Sequence, residues 1–248
     1  MTTPATDTPH PTSSSPAIEA VFGRILTEIV RGHYPTGARL PAERELSRQL
    51  GASRPTLREA LRRLGEWNLV EPRRGSGVVV RPMREWSIEV LPAYLRWGRP
   101  GPGQATIARM MVDLLALRRA LIVEVVRLVA PRITPGSTAA ARAALERAWL
   151  LRDAGTAFQE EDFQVMRAVV DGAGFLPAVW MLNRMSGVYL EVARTLSEAF
   201  KPPADYHESH VKFLDALDRG DGDAACRHIG DYLERHDSAL VSALEVFA

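Results

Sequence analysis

Apolar residues recur every three or four positions near the start of the chain, a spacing that predicts amphipathic helices. One such stripe runs through residues 17–31 and is followed by Gly32, a residue type that commonly ends helices. A second predicted helix opens near Leu40 and stops at Gly51, whose tolerance of positive φ ends a helix at little cost. This part of the chain therefore predicts two short helices separated by a turn at residues 34–37.

A third helix is predicted to begin at Ser53, because serine is a preferred N-cap and Pro55 is tolerated in a first turn. Its inward face consists of three leucines, Leu57, Leu61 and Leu64. Its outward face is a strip of arginines one turn apart, Arg54, Arg58 and Arg62. Free backbone N–H groups and the positive end of the helix dipole lie beside Arg54, so this end of the helix suits a polyanion.

The chain then changes from helical spacing to a short β-hairpin. Residues 69–72 precede a tight turn that contains Arg73, Arg74 and Gly75, and three consecutive valines follow at residues 78–80. Three short helices followed by a two-stranded ribbon are typical of a winged helix-turn-helix, which binds DNA.

Helical spacing resumes after the hairpin and continues almost to the end of the chain, without strand-like alternation. Helices are predicted near residues 85–97, 106–129, 136–153, 158–171, 176–200, 205–218 and 221–246. The predicted fold class is therefore mainly α, with three parts: a Thr/Ser/Pro-rich disordered tail (1–16), a winged helix-turn-helix domain (17–82) and an all-α helical-bundle ligand-binding domain (83–248).

Charge is distributed unevenly between these parts. The formal net charge is +1, but residues 1–84 contain 13 arginines, no lysine and eight acidic residues, whereas residues 85–248 carry a formal charge of −4. A basic front part is expected to bind a polyanion such as double-stranded DNA. The planar guanidinium matches guanine O6 and N7 as well as phosphate oxygens, so a strip of arginines favours major-groove contacts.

The rest of the composition bounds location and chemistry. The single cysteine, Cys226, excludes an intramolecular disulfide and is interpreted as a buried apolar residue rather than a nucleophile. No apolar run approaches the roughly 18–20 residues that span a bilayer, and the N-terminus lacks a secretory signal, so a cytoplasmic protein is expected. The acidic run at residues 160–162 has no accompanying nucleophile, His–carboxylate motif or phosphate loop, so an enzyme is not expected.

The sequence of the predicted DNA-binding helices resembles the GntR family of bacterial transcription regulators. The family pattern GxxLPxERxLxxxxGxSRxTxRxALxxL is matched from Gly37 to Leu64, and a Gly-rich wing follows. The resemblance implies that α-helical arginines contact DNA and that the wing enters the adjacent minor groove. The DNA-binding residues expected on this basis are Arg44, Ser53, Arg54, Pro55, Thr56, Arg58, Arg74, Gly75 and Ser76.

The helical remainder is similar to the ligand-binding domain of the FadR subfamily, in three segments: Leu114-Leu115-x-x-Arg118, residues 162–167 and residues 210–221. The branch of that subfamily named for the fatty-acid regulator binds long-chain acyl-CoA, and residues 86–91 also resemble it. The effector-binding residues expected from this resemblance are Arg118, Asp162, Met166, His210 and Tyr232.

Many members of the subfamily hold a divalent metal with an Asp, a His four residues later and two further His. This chain keeps Asp162 and His210 but has Met166 and Tyr232 at the other two positions. Thioether and phenol are poor replacements for imidazole at such an ion, so neither a metal nor another cofactor is expected. Asp162 and His210 stay weak candidates for metal ligands, and the alternative is that they form a satisfied buried hydrogen bond.

The sequence thus predicts a homodimeric, ligand-responsive transcriptional repressor that binds a palindromic operator and senses a fatty acyl-CoA or a related organic acid. Three alternatives stay open at this point. They are a metal-dependent sensor of a small organic acid on the same fold, a constitutive architectural DNA-binding protein, and an enzyme with an accessory DNA-binding domain.

Overall fold

The computed structural model describes residues 15–101, 106–195 and 201–246, with side chains of the last helix up to residue 242. Contacts between Cα atoms divide the chain into two compact units, with the division between Arg99 and Pro100. Most of the predicted N-terminal tail, residues 1–14, lies outside the described residues.

The first unit is a winged helix-turn-helix, which confirms the prediction from the sequence. Its elements are α1 (Pro16–Val30), α2 (Glu43–Leu50), α3 (Arg54–Glu66), β1 (Val70–Arg73) and β2 (Gly77–Val80). The two strands pair antiparallel, with Val70 opposite Val80, and Arg39 adds an isolated bridge to Val79. This bridge joins the segment before α2 to the hairpin.

The core of this unit lies between α1 and α3. Its buried side chains include Phe22, Ile25, Ile29, Leu57, Leu64, Leu69 and Val80. The ring of Phe22 meets Trp67 edge-on, with the ring centroids 4.7 Å apart. This aromatic contact fixes the C-terminal end of α3 against α1.

The inner face of α3 differs by one position from the prediction. Leu57 and Leu64 are fully buried, but the third buried residue of the helix is Ala60 rather than Leu61. Positions 57, 60 and 64 are spaced by three and four residues and form one narrow stripe. Leu61 lies at the edge of that stripe and is partly exposed.

The segment after the hairpin is not the single helix predicted at residues 85–97. Two short 3-10 turns, Met83–Glu85 and Ile88–Val90, precede α4 (Leu91–Trp97). Pro92 has no N–H to donate to a carbonyl in the preceding turn, so a continuous α-helix cannot pass through this position.

The division between the two units, after Arg99, lies later in the chain than the domain boundary predicted between residues 82 and 83. Helix α4 packs against α1, and residues 83–97 therefore group by contact with the first unit. The sequence pattern could not place them there, because helical periodicity does not tell which neighbour a helix packs against.

The second unit is helical throughout its described residues. Its helices are α5 (Ile107–Val129), α6 (Ala139–Leu150), α7 (Thr156–Gly172), α8 (Leu176–Thr195), α9 (Tyr206–Asp218) and α10 (Gly222–Val246). These match the six predicted helices after residue 100 to within a few residues; residues 196–200 of the predicted helix 176–200 lie outside the described range.

Helix α10 packs against both α5 and α9, and α7 packs against both α6 and α8. The core that joins them contains Val126, Val129, Leu145, Val169, Tyr206, Phe213, Leu214 and Leu217, each with almost no exposed surface. Among the helices in the described ranges, none has the length and apolar character that a membrane crossing requires.

Candidate functional site

The turn between α2 and α3 is built by local backbone chemistry. Gly51 ends α2 in the left-handed region at φ 64°, which glycine adopts without the steric cost of a Cβ. Ser53 then caps α3, because its Oγ accepts a hydrogen bond from the backbone N–H of Thr56 at 3.2 Å. The Ser53 hydroxyl also lies 2.8 Å from the Thr56 hydroxyl, so a second hydrogen bond between these side chains stabilises the first turn of α3.

Arg54 and Arg58 are exposed one turn apart on α3, as predicted. Arg58 Nε donates a hydrogen bond to Glu43 on α2 at 2.8 Å. Arg62, the third arginine of the predicted strip, instead forms ion pairs with Glu59 and Glu66 on its own helix. Its guanidinium charge is therefore neutralised locally, and the accessible strip is shorter than the sequence indicated.

The wing presents Arg74, Gly75 and Ser76 at the exposed hairpin turn. Gly75 has φ 73° and Gly77 has φ 75°, conformations that favour glycine and make the turn tight. A Cβ added at Gly77 would lie 3.2 Å from Nε of Arg39, so this position also keeps room for a basic side chain beside the hairpin.

Arg44, Arg54 and Arg74 are exposed, and the described part of the chain offers none of them a salt bridge. Guanidinium groups in this state can bind phosphates or base edges without first breaking an internal ion pair. Of the other predicted contact residues, Ser53 and Thr56 hydrogen-bond to each other, and Pro55 can offer only an apolar contact.

A buried polar cluster lies inside the second unit and contains most of the predicted effector residues. Its centre is Asp162 on α7, which accepts hydrogen bonds from two tyrosines. Tyr189 of α8 donates to Oδ2 at 2.9 Å, and Tyr206 of α9 donates to Oδ1 at 2.8 Å. Both carboxylate oxygens are thus engaged by phenol groups.

His210 lies next to this carboxylate but does not bind it directly. Its Nδ1 is 2.8 Å from the Tyr206 carbonyl oxygen, so Nδ1 carries the proton that is donated. The imidazole lies between two tyrosine rings, 4.3 Å from Tyr206 and 4.7 Å from Tyr232 by centroid. Tyr232 also stacks on His236, with centroids 5.8 Å apart.

Burial controls the protonation of this cluster. It raises the pKa of Tyr189, Tyr206 and Tyr232 above the ordinary value, and the nearby Asp162 charge adds to the effect. Burial also lowers the pKa of His210, and it lowers the pKa of His236 to about 4. The positive charge of Arg118 adds to the lowering at His236. The tyrosines and histidines of the cluster are therefore uncharged at neutral pH.

Arg118 on α5 borders the cluster, as its charge effects on Tyr189, Tyr232 and His236 indicate. It donates from Nη2 to Oδ1 of Asp237 on α10 at 2.6 Å, which forms a largely buried ion pair. Burial raises the pKa of Asp237, while the Arg118 charge opposes that rise.

The structure brings Asp162, His210 and Tyr232 together, and it places Met166 at the edge of the neighbouring apolar core. It adds four residues that the sequence reasoning did not single out: Tyr189, Tyr206, His236 and Asp237. Spacing gave no signal for Tyr189, Tyr206 and Asp237, because the side chains to which they hydrogen-bond lie on other helices. His236 instead contacts Tyr232 one turn away on the same helix.

The donor set does not fit the divalent metal that many members of the resembled subfamily hold. Both oxygens of Asp162 accept hydrogen bonds from tyrosine hydroxyls. Met166 and Tyr232 stand where two imidazole ligands would be required, and thioether and phenol replace them poorly. His210 donates from Nδ1 to a carbonyl, so only its Nε2 could reach a metal. Among the described residues, no group of three or more His, Cys, Asp or Glu side chains is arranged to hold a metal ion.

Two protein-family models match the chain. The model described as bacterial regulatory proteins, gntR family, covers residues 17–80, and the FCD domain model covers residues 113–235. The first match coincides with the winged helix-turn-helix, and the second contains the residues of the buried polar cluster up to Tyr232.

Curated relatives carry regulatory names. The HTH-type transcriptional regulator Mce2R of Mycobacterium tuberculosis is 32% identical over 240 residues, which cover 91% of this chain and 92% of that protein. The fatty acid metabolism regulator protein of Cronobacter sakazakii is 30% identical over 171 residues, 68% of each chain. The same-named protein of Pectobacterium carotovorum is 29% identical over an equal length and share.

Among solved structures, that of Lar, which controls the expression of the Listeria monocytogenes agr system, has a TM-score of 0.64. The likeness covers 92% of this chain and 98% of that chain at 14% sequence identity. At that identity the likeness shows a shared fold and nothing about ligands.

Proposed function

This chain belongs to the GntR family of bacterial regulatory proteins, FadR subfamily, with a C-terminal FCD domain, and we propose that it is a repressor controlled by a fatty acyl-CoA or a related carboxylate. As a member of that family it is a DNA-binding transcriptional regulator and not an enzyme. The proposal concerns the contacts with DNA, the assembly and the effector.

The winged unit reads DNA through α3. Arg54 and Arg58 lie at the start of this helix, where a recognition helix presents its side chains to base edges in the major groove. Arg44 on α2 contacts a backbone phosphate, and Arg74 at the wing turn enters the minor groove. The exposure of these side chains supports the assignment.

The regulator acts as a homodimer on a palindromic operator. One winged module buries too little surface for the affinity that specific operators require, and two copies related by a two-fold axis match two half-sites. A ligand that changes the placement of the two winged units would change how well they fit DNA.

The buried polar cluster supports an acyl effector. Aromatic and thioether side chains occupy two of the metal-ligand positions, so the region is richer in apolar surface than a metal centre would be. The match to regulators named for fatty acid metabolism is consistent with this ligand class. Arg118 and the tyrosine hydroxyls provide polar groups that can orient a ligand head.

A thermal-shift screen tests this proposal. The protein is stripped with chelator and mixed with dodecanoyl-CoA, palmitoyl-CoA, the matching fatty acids, or small organic acids with and without Zn²⁺. A ligand that binds the folded state alone raises the unfolding temperature, so long-chain acyl compounds should stabilise the protein without metal. Acetyl-CoA is the control, because it has the same nucleotide and no chain.

Stabilisation by acetyl-CoA equal to that by palmitoyl-CoA would show that the chain is not recognised. Stabilisation only by Zn²⁺ with a small carboxylate would replace the acyl effector by the metal-dependent sensor. No stabilisation by any compound would favour the constitutive DNA-binding protein.

A further inference from the structure

The ion pair between Arg118 and Asp237 is incomplete in a particular way. One hydrogen bond joins Arg118 Nη2 to Asp237 Oδ1, and the side chains are 18% and 8% exposed. Within the described residues, the buried atoms Arg118 Nε and Asp237 Oδ2 have no hydrogen-bond partner. The pair thus leaves one donor, Arg118 Nε, and one acceptor, Asp237 Oδ2, unsatisfied.

Unsatisfied buried groups are costly, because each has lost its hydrogen bonds to water without replacement. A guanidinium and a carboxylate can usually satisfy each other through two parallel hydrogen bonds. The single hydrogen bond seen here leaves Arg118 Nε and Asp237 Oδ2 available to a ligand. A group that carries both an acceptor and a donor could satisfy the two atoms together.

The charges around the pair decide which kind of group fits. Asp162 and Asp237 contribute two carboxylates, and Arg118 contributes one cation. The histidines and tyrosines of the cluster are uncharged. Besides Arg118, the charges of Arg119 and Glu234 act on Asp237, and these two side chains pair with each other. Asp205, farther out, pairs with Arg235.

Among Asp162, Asp237 and Arg118 the balance is therefore one negative charge in excess. A ligand carboxylate bound at Arg118 would add a second excess charge in a region with little water to screen it. An uncharged head with a carbonyl and an N–H avoids that repulsion and still satisfies both open atoms.

We propose that the effector binds to this pair through an uncharged, amide-like head. Its carbonyl accepts a hydrogen bond from Arg118 Nε, and its N–H donates to Asp237 Oδ2. This inference rests on the proposed acyl effector and narrows it, because an amide of a pantetheine arm carries this head and a free fatty acid does not. A simple fatty amide is the other source of the same chemistry.

Two ligands of equal chain length test the proposal on the wild-type protein. Dodecanamide and dodecanoate have the same shape at the head, but only the amide is neutral and carries N–H donors. Isothermal titration should give a dissociation constant for dodecanamide at least about tenfold lower than for dodecanoate. S-dodecanoyl-pantetheine, run in parallel, distinguishes the pantetheine amide from the simple fatty amide as the source.

Two variants locate the preference. Asp237→Asn removes the carboxylate charge and adds an N–H that can donate to a ligand carboxylate, so the preference for the amide should disappear or reverse. Glu234→Gln removes a carboxylate from a neighbouring α5–α10 ion pair, that of Arg119 with Glu234, and should keep the wild-type preference. If Asp237→Asn fails to fold, the comparison of dodecanoate with dodecanamide on the wild-type protein still tests the proposal.

Equal or tighter binding of dodecanoate to the wild-type protein overturns the inference, and so does an unchanged preference in folded Asp237→Asn. If dodecanoate binds and also shifts DNA binding, the acyl effector stands while the amide-like head is wrong. If none of the three ligands binds, both proposals fail.

Discussion

The carboxylate of Glu43 on α2 accepts a hydrogen bond from Nε of Arg58 on α3 at 2.8 Å, and so joins the two helices of the helix-turn-helix. Both side chains are exposed, which makes this contact a weak contribution to stability. We propose that its importance lies in DNA recognition. Arg58 must share or leave Glu43 before it can make a bidentate contact with guanine, so Glu43 both orients Arg58 and competes with DNA for it.

Replacing Arg58 by alanine should reduce operator affinity by about 1–3 kcal/mol and relax discrimination at one base pair of each half-site. Fluorescence anisotropy with a panel of single-base operator variants measures both effects. Arg62→Ala is the matched control on the same helix, because Glu59 and Glu66 already neutralise its charge. If Arg58→Ala binds every operator variant as wild type does, Arg58 does not read a base.

Glu43→Gln should raise the affinity for all DNA sequences and narrow the gap between operator and random DNA. The change removes a negative charge that repels phosphates, and it releases Arg58 from its fixed position. Competition binding with random duplex gives the specificity ratio. Glu45→Gln on the same helix is the control for charge alone, since its carboxylate pairs with Arg48 and not with α3. Equal specificity ratios in Glu43→Gln and Glu45→Gln would argue against an orienting role for Glu43.

Tyr206→Phe should destabilise the helical unit by about 1–3 kcal/mol, because Asp162 Oδ1 loses its hydrogen-bond donor inside a buried cluster while the ring contacts are kept. Urea unfolding followed by near-ultraviolet circular dichroism measures the change. Ser186→Ala on α8 removes a hydroxyl from an exposed hydrogen bond and should have little effect. A stability of Tyr206→Phe equal to that of wild type would mean that Asp162 does not depend on this phenol.

The helical unit should lose stability as pH falls from about 6.5 to about 4. Burial lowers the pKa of His236 from 6.5 to about 4 and lowers that of His210, so the unfolded chain binds more protons in this window than the folded one. Protonation of the unfolded state then favours unfolding. His236→Gln should show a smaller loss between about pH 7 and about pH 5 than wild type does. An equal loss of stability with falling pH in wild type and His236→Gln would contradict a buried, neutral His236.

Local sequence signals were enough to predict the winged helix-turn-helix. Ser53 as an N-cap, Gly51 as a helix end and the buried Leu57 and Leu64 all follow from chemistry within a few residues along the chain. The error at Leu61 has the same local origin, since a helix pattern defines a face but not which of two neighbouring positions lies at its centre.

The buried cluster was only partly predictable, because its contacts join distant parts of the sequence. Tyr206 lies 44 residues from Asp162, and Asp237 lies 119 residues from Arg118. Periodicity places each of these residues on a helix face without indicating its partner. The two tyrosines that hold Asp162 also carry no charge pattern that would mark them in the sequence.

Release of operator DNA by a long-chain acyl ligand would show the proposed regulation most directly. An operator selected from random DNA is labelled, bound by chelator-treated protein, and titrated with palmitoyl-CoA while anisotropy is recorded. We expect the dissociation constant for the operator to rise at least about tenfold with palmitoyl-CoA, and acetyl-CoA to have no such effect. Arg118→Ala should weaken the response. An operator affinity that palmitoyl-CoA leaves unchanged, or that responds only to Zn²⁺ with a small carboxylate, would contradict the proposed regulation.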